Sequence, residues 1–187
     1  MAQVSTNEFK AGLKVEIEGE PYTIISNEFV KPGKGTPFNR VKVKHLMSGR
    51  LIEKTFKSGE KLDIADVEEV KLRMLYKEAD GVVFMDDTTF DQTTIPLAIL
   101  EDKMHWIMEE VLYDIVIYNG QPIDVQAPTF MEMTVTETTP GARGDTSGRV
   151  MKAATTDSGA KIQVPIFVNE GDKIKVDTRT AEYVSRV

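Results

Sequence analysis

The sequence contains no cysteine and only two histidines among its 187 residues. The lack of cysteine excludes disulfides, thiol catalysis and cysteine metal sites, and it fits a reducing cytosol. No apolar run approaches the roughly 18 residues that cross a membrane. The segment Met1 to Ser5 has no basic stretch leading into an apolar one. We therefore expect a cytoplasmic protein with no signal peptide and no membrane partner.

Residue groups that could carry catalysis are also scarce. His45 and His105 are far apart and lack the spacing of a metal motif, so we interpret both as packing or surface residues. Adjacent carboxylates such as Asp86 and Asp87 point to opposite faces at a strand end, so a turn is the better interpretation. No serine stands in a Gly-x-Ser-x-Gly setting. The sequence thus predicts no metal, no cofactor and no enzymatic activity.

The net charge is −7, but the charge is unevenly distributed along the chain. Residues 1–65 hold eleven Lys or Arg against eight Asp or Glu, residues 66–128 hold four against fourteen, and residues 129–187 hold eight of each. Within residues 31–57 a single acid, Glu53, accompanies the basic residues Lys31, Lys34, Arg40, Lys42, Lys44, Arg50, Lys54 and Lys57. Positive charge is therefore concentrated at one end of the molecule, and the alternative interpretation is a solvated, lysine-rich strand face.

Short strands with turns at close spacing dominate the pattern. The first 65 residues read as a small barrel, with alternation such as Val41-Lys42-Val43-Lys44. Proline at position 96 favours a short helix over Leu97–Leu100, and Asn119-Gly120 predicts a hairpin. The later two thirds of the chain fit two five-stranded oligonucleotide-binding (OB) barrels. We predict an all-β protein of three small barrel domains, with the boundaries 1–65, 66–128 and 129–187.

The most distinctive segment is the loop Lys31-Pro32-Gly33-Lys34-Gly35-Thr36-Pro37. It is not a phosphate-binding loop, because Gly35 rather than Ser or Thr follows Lys34 and a strand pattern, not a helix, comes next. The flanking glycines permit unusual backbone angles, while Pro32 and Pro37 restrict the approaches. The loop therefore predicts one amine displayed at a hairpin tip, and the alternative is an ordinary Gly/Pro turn with an incidental lysine.

Three segments near the end of the chain narrow the choice. The first has the spacing of the elongation factor P signature and comprises Lys152, Ala153, Ala154, Gly159, Ile162, Val164, Pro165, Val168 and Gly171. Just upstream, Gly144-Asp145-Thr146 resembles the loop by which that family contacts messenger RNA. Glu182 to Arg186 resembles the family's C-terminal segment. Together with the Lys34 loop, these segments make the whole chain resemble the bacterial elongation factor P family.

The resemblance implies a molecule shaped like the letter L, similar to a transfer RNA. It implies an SH3-like (KOW-type) first domain followed by two OB-fold barrels. It further implies a factor that binds the 70S ribosome between the P and E sites and stimulates peptide-bond formation at consecutive prolines. In that role Lys34 would contact the CCA end of the P-site peptidyl-tRNA.

The same resemblance assigns roles to individual residues. Pro32, Gly33 and Gly35 would shape the loop around Lys34, and RNA backbone contacts would come from Lys31, Arg40, Lys42 and Lys44. Messenger RNA in the E site would be contacted by Gly144, Asp145 and Thr146. Tyr183 and Arg186 would approach RNA near the anticodon stem.

The sequence around Lys34 also resembles relatives in which this lysine carries an added β-lysine, which implies a lysine-modifying enzyme as a partner. Thr36-Pro37 departs from the small residue expected in some β-lysylated relatives, so the modification of Lys34 stays open. Two alternatives stay open as well: the elongation factor P-like paralogue, which shares the fold, and a general single-stranded RNA-binding protein. We expect a monomer.

Overall fold

The computed structural model describes residues 2–140 and 150–187. Close packing groups the chain into two compact units, one of Met1–Val70 with Ile115–Asp124 and one of Lys71–Asp114 with Val125–Val187. Strands form nearly all of the regular structure, which confirms the predicted all-β class. No helix within the described residues is both long and apolar enough to cross a membrane.

The first sheet begins the chain and carries the Lys34 loop. Its described strands are β1 (Gln3–Ser5), β2 (Lys14–Ile17), β3 (Glu20–Val30), β4 (Phe38–His45), β5 (Leu51–Lys57) and β6 (Lys61–Ile64). They are ordered β1-β6-β2-β3-β4-β5. Alternation along β4 buries Val41 and Val43 and exposes Lys42 and Lys44, because successive side chains of a strand point to opposite faces. The buried valines pack into a core with Val15 and Ile24.

The second sheet has the strand order β11-β10-β7-β8-β9 within the described residues. Its strands are β7 (Val67–Lys77), β8 (Gly81–Met85), β9 (Gln92–Pro96), β10 (Leu112–Tyr118) and β11 (Gln121–Gln126). Helix α1 (Leu97–Leu100) follows Pro96, which confirms the predicted short helix, and a 3-10 helix (Glu101–Trp106) continues it. Asn119 and Gly120 have φ of 49° and 79° between β10 and β11, which confirms the predicted hairpin turn.

The third sheet closes into a barrel in the order β12-β13-β14-β16-β15. Its strands are β12 (Phe130–Thr138), β13 (Met151–Thr156), β14 (Lys161–Pro165), β15 (Lys173–Asp177) and β16 (Glu182–Arg186). Closure comes from β14 and β16, which run parallel and pair at Gln163 and Glu182. Alternating residues such as Met133, Val164 and Ile174 fill the interior. Five strands closed in this way are the arrangement expected of an OB barrel.

Tyr113 is the largest of the fully buried side chains and lies on β10. Its hydroxyl donates a hydrogen bond to the carbonyl oxygen of Trp106 at 2.5 Å and accepts one from the backbone N–H of Met108 at 2.8 Å. Its ring meets Phe84 edge to face at a centroid distance of 5.7 Å. Burial disfavours the phenolate and raises the pKa of Tyr113 to about 12.

This buried phenol predicts a loss of stability in alkali. Below pH 10 the hydroxyl is neutral in both the folded and the unfolded state, so its contribution is complete. Between pH 10 and pH 12 the unfolded chain releases the proton and the folded chain does not, so roughly 2 to 3 kcal/mol is lost. Urea unfolding across this range measures the loss. Tyr113→Phe should flatten the decline, and an identical decline in that variant would contradict the assignment.

Candidate functional site

The Lys34 loop comprises residues 31–37 and joins β3 to β4. Val30 and Phe38 are the last residue pair of the two strands below it. Lys34 is exposed, and its ammonium group forms no salt bridge with any residue in the described part of the chain. The structure therefore places an unpaired, solvent-facing amine beyond the end of the first sheet.

The two glycines beside Lys34 have different structural roles. Gly35 has a φ of +112°, and a Cβ atom there would lie 3.8 Å from Cγ of Pro32. That backbone conformation is rarely open to other L-residues, so the position requires glycine. Gly33 has no such angle, and a Cβ atom there would meet nothing within 4 Å. The loop conformation thus depends on Gly35 more than on Gly33.

We expect Gly35→Ala to cost stability and Gly33→Ala to cost little. Alanine at position 35 must either adopt a left-handed angle, at about 1 to 2 kcal/mol, or force the loop to rearrange. Alanine at position 33 enters open space with an ordinary backbone angle. Urea denaturation of the two variants provides the comparison. Equal costs would show that the described angle at Gly35 does not decide the loop conformation.

Strand β4, which forms one side of the base of the loop, is paired with a neighbouring strand on each edge. Strand β4 pairs with β3 from Tyr22–His45 to Val30–Phe38 and pairs with β5 up to Phe38–Lys57. The backbone N–H of Ser58 donates to the carbonyl oxygen of Pro37 at 3.1 Å. The loop therefore rises from a three-stranded platform and is not the end of an isolated hairpin. Its seven residues are the only part of this connection that lies outside the strand pairing described here.

The predicted RNA-backbone residues of β4 share the outer face of that platform. Arg40, Lys42 and Lys44 are exposed and alternate with buried residues. The guanidinium of Arg40 lies 3.6 Å from the carboxylates of both Glu28 and Glu53, which come from the strands on either side. Lys42 and Lys44 form no salt bridge within residues 2–140 and 150–187, and Lys31 is exposed at the start of the loop. Among the four predicted RNA-backbone residues, Arg40 is thus the one whose positive charge is paired with carboxylates in the described chain.

The other predicted site residues lie at the end of the chain. Tyr183 is half-buried and Arg186 is exposed on β16, and the Arg186 guanidinium lies 4.9 Å from the centroid of the Phe167 ring. Burial is the main cause that raises the pKa of Tyr183. Tyr183 also lines an open cavity of about 520 Å³ with Met151, Lys161 and Gln163. Gly144, Asp145 and Thr146 lie outside the described residues.

The signature segment is largely structural. Ala154, Ile162, Val164 and Val168 are buried in the barrel. Gly159 and Gly171 have φ of +90° and +88°, angles that favour glycine at the two turns. The Lys152 ammonium donates to the carbonyl oxygen of Thr139. These contacts explain why glycine and apolar residues stand at those positions.

The two histidines and the paired aspartates have the structural roles expected of them. His45 packs against Tyr22 at a ring distance of 5.0 Å, and its Nδ1 lies 2.7 Å from the Ser48 hydroxyl. His105 is exposed. Asp86 accepts hydrogen bonds from the backbone N–H groups of Thr88 and Thr89, and a pair of hydrogen bonds from Arg73 lowers the pKa of Asp87. The predicted turn at Asp86 is confirmed.

Sequence reasoning missed a buried polar group beneath the Lys34 loop. Asn39 is 3% exposed and donates a hydrogen bond to Asn27, which in turn contacts the N-terminal segment. A polar residue at an inward position of β4 was the available signal, since Asn39 occupies the inward register of Val41 and Val43.

Comparison with known proteins decides the family. The Elongation factor P (EF-P) KOW-like domain matches residues 5–62, the Elongation factor P (EF-P) OB domain matches residues 67–125, and the Elongation factor P, C-terminal domain matches residues 131–186. The chain belongs to the elongation factor P family. As a member of that family, it is a translation elongation factor.

Family members named "Elongation factor P 2" resemble the chain over its full length. The protein from Protochlamydia amoebophila is 62% identical over 188 residues, covering 100% of this chain and 99% of the relative. Those from Chlamydia trachomatis and Chlamydia pneumoniae are 57% and 53% identical with the same coverage. This similarity extends beyond the signature segment to all three sheets.

Two solved structures share the fold at low sequence identity. Eukaryotic translation initiation factor 5A from Methanococcus jannaschii has a TM-score of 0.52 at 22% identity and covers 67% of this chain and 94% of its own. A translation initiation factor eIF-5A family protein from Naegleria fowleri has a TM-score of 0.51 at 13% identity and covers 67% of this chain and 97% of its own. Together with the family domains, these neighbours support the predicted SH3-like and OB architecture.

Proposed function

We propose that this elongation factor binds the 70S ribosome between the P and E sites and stimulates peptide-bond formation at consecutive prolines. Lys34 contacts the CCA end of the P-site peptidyl-tRNA in this proposal. One observation carries it: an exposed amine without a salt bridge in the described chain stands on a loop that leads into β4, a strand paired with β3 on one side and with β5 on the other.

The proposed effect of Lys34 is positional. Proline is a constrained reactant because its ring fixes φ. Peptide-bond formation is therefore sensitive to how the two reacting groups are aligned. An ammonium group on a short loop contacts phosphate and ribose oxygens at the CCA end and reduces the freedom of the peptidyl-tRNA. Alignment of this kind lowers the barrier through entropy, without proton transfer by the protein. The chemistry stays with the ribosome, so the factor is not assigned an enzymatic activity.

The remaining site residues are assigned to holding the factor in place. Lys31, Lys42 and Lys44 present ammonium groups to RNA phosphates, and Arg40 joins them by leaving Glu28 and Glu53. Gly144, Asp145 and Thr146 are proposed to contact messenger RNA in the E site. Tyr183 and Arg186 are proposed to approach the anticodon stem. Three domains, 1–65, 66–128 and 129–187, are proposed, and the matched family ranges fall inside these boundaries.

The proposal includes a lysine-modifying enzyme as a second partner. A β-lysine-type addition to Lys34 would lengthen the side chain beyond the loop. The amine of Lys34 is accessible to such an enzyme because the residue is exposed. The factor is proposed to act as a cytoplasmic monomer. Intact mass of the natively expressed protein, compared with the 20.9 kDa of the unmodified chain, tests the addition.

A purified translation system with a Pro-Pro-Pro reporter tests the function. We expect the factor to raise the rate of synthesis through the proline run and to leave a matched reporter without prolines unchanged. Equal rates with and without the factor on the proline reporter would refute the proposal. Tight binding to free RNA oligonucleotides with a steep salt dependence would instead favour a general single-strand binder.

A further inference from the structure

A chain of partly buried side-chain hydrogen bonds lies under the Lys34 loop, on the inner face of the first sheet. Asn39 of β4 donates from Nδ2 to Oδ1 of Asn27 at 2.9 Å. Asn27 of β3 donates from its own Nδ2 to the carbonyl oxygens of Thr6 at 2.9 Å and Phe9 at 3.3 Å. The two asparagines therefore connect the strands that carry the loop to the N-terminal turn, a 3-10 helix of Thr6–Glu8 that ends at Phe9.

The hydrogen bonds fix the orientation of both amide groups. The Nδ2 of Asn27 faces two carbonyl oxygens, which can only accept, so its Oδ1 must face Asn39. Asn39 must then present its Nδ2 to that oxygen, which leaves its own Oδ1 buried without a hydrogen-bond partner among the described residues. A buried acceptor of this kind is unfavourable for stability. The position is thus poorly explained by stability alone.

The N-terminal turn is itself fixed. Thr6 is fully buried, its hydroxyl accepts a hydrogen bond from the N–H of Gly59 at 2.8 Å, and its N–H donates to the carbonyl oxygen of Glu60 at 3.1 Å. Glu8 accepts a hydrogen bond from the N–H of Ser5, which also lowers the pKa of Glu8. The turn thus joins the β5–β6 connection to the two asparagines and forms a brace below the loop.

We propose that Asn27 and Asn39 are positioning residues, which hold the loop-bearing ends of β3 and β4 in the orientation that presents Lys34. This inference rests on the proposed function of Lys34, which it deepens. Asn27 is four residues before Lys31, and Asn39 is two residues after Pro37, so the pair brackets the loop. Neither residue is expected to touch RNA, because both face the inside of the sheet and Asn39 is buried.

The physical effect is preorganisation. When the strands below the loop are already held in place, the loop loses less conformational entropy as Lys34 contacts the CCA end. More of the interaction free energy is then available to align the reactants. Loss of the brace should lower the rate at saturating factor and leave the outer binding face, with Lys42 and Lys44, in place. A merely structural role would instead reduce the folded fraction, which additional protein would restore.

Asn27→Ala is the main test, because it removes the contacts to Thr6, Phe9 and Asn39 together. Ser26→Ala is the matched control, since Ser26 is the preceding residue on β3 and is exposed. We expect Asn27→Ala to lower the saturating rate on the Pro-Pro-Pro reporter by about threefold to tenfold with little change in the half-saturating concentration. Amide hydrogen exchange should speed up at the pairs Phe29–Asn39 and Val30–Phe38, and it should stay unchanged at Tyr22–His45.

The outcomes separate the hypotheses. Unchanged exchange at the loop-proximal pairs and an unchanged saturating rate in folded Asn27→Ala would overturn the proposal. A loss of rate that extra protein restores would also overturn it, because that result indicates partial unfolding. If Asn27→Ala does not fold, Asn39→Ala removes only the bond to Asn27 and is judged by the same readouts. If Lys34→Ala has no effect while exchange still responds, the brace stands and the proposed function fails.

Discussion

Lys34→Ala should reduce synthesis through Pro-Pro-Pro to the rate seen without the factor. The substitution removes the ammonium group and leaves the loop backbone unchanged, because Lys34 is exposed and forms no salt bridge in the described chain. Binding should persist through the outer basic face. The rate on a saturating amount of factor, measured with the purified system, is the decisive readout.

Lys31→Ala is the matched control for this substitution. Lys31 is exposed in the same loop but lies at its base rather than its tip. If it contacts one phosphate, its loss weakens ribosome binding and reduces the slope of affinity against salt by about one, with the saturating rate retained. Full rescue by Lys34→Ala would contradict the proposed role, and so would equal losses at saturation in the two variants.

Gly81→Ala should produce the largest loss of stability among the glycine substitutions described here. Gly81 opens β8 and pairs with Pro96, and an added Cβ would lie 2.7 Å from the carbonyl oxygen of Ile95 and 2.9 Å from Cγ2 of Thr94. One of these atoms is backbone, so β8 and β9 must separate. We expect a cost of about 1 to 3 kcal/mol, which corresponds to a fall in Tm of roughly 2 to 4 °C for each kcal/mol.

Thermal and urea unfolding measure this effect, and Gly33→Ala provides the reference because its Cβ meets open space. Gly81→Ala should unfold at a lower urea concentration than Gly33→Ala, with a similar dependence on denaturant. A Gly81→Ala protein as stable as the reference would mean that the pairing of β8 with β9 adapts at no cost.

Much of the fold follows from local pattern. The alternation around Val41 and Lys42 determines which face of β4 is buried, and Pro96 and Asn119-Gly120 mark the start of α1 and the hairpin turn. The exposed position of Lys34 was predicted from its two glycines. Each of these features depends on residues a few positions apart, so a single sequence is sufficient to predict it.

The features that were not predicted depend on contacts between distant segments. Glu28 and Glu53 meet Arg40 only because the register of β3, β4 and β5 aligns them. Charge counting along the chain therefore overestimated the free positive charge at Arg40. A bulge between Ile24 and Ser26 shifts the alternation of β3 and turns Asn27 inward, so strict two-residue periodicity would not have placed it beside Asn39.

In the closed barrel, the pairing of β14 with β16 differs from the other strand pairings, which are antiparallel. Strands β14 and β16 run parallel and, among the described residues, pair only at Gln163 and Glu182, while β16 pairs with β15 from Ile174–Arg186 to Asp177–Glu182. In local opening of the barrel, we expect β14 and β16 to separate first, while β16 stays paired with β15. The cavity beside Tyr183 is lined by residues of both β14 and β16. A ligand that contacts both β14 and β16 would stabilise their pairing and make separation of the C-terminal strand less favourable.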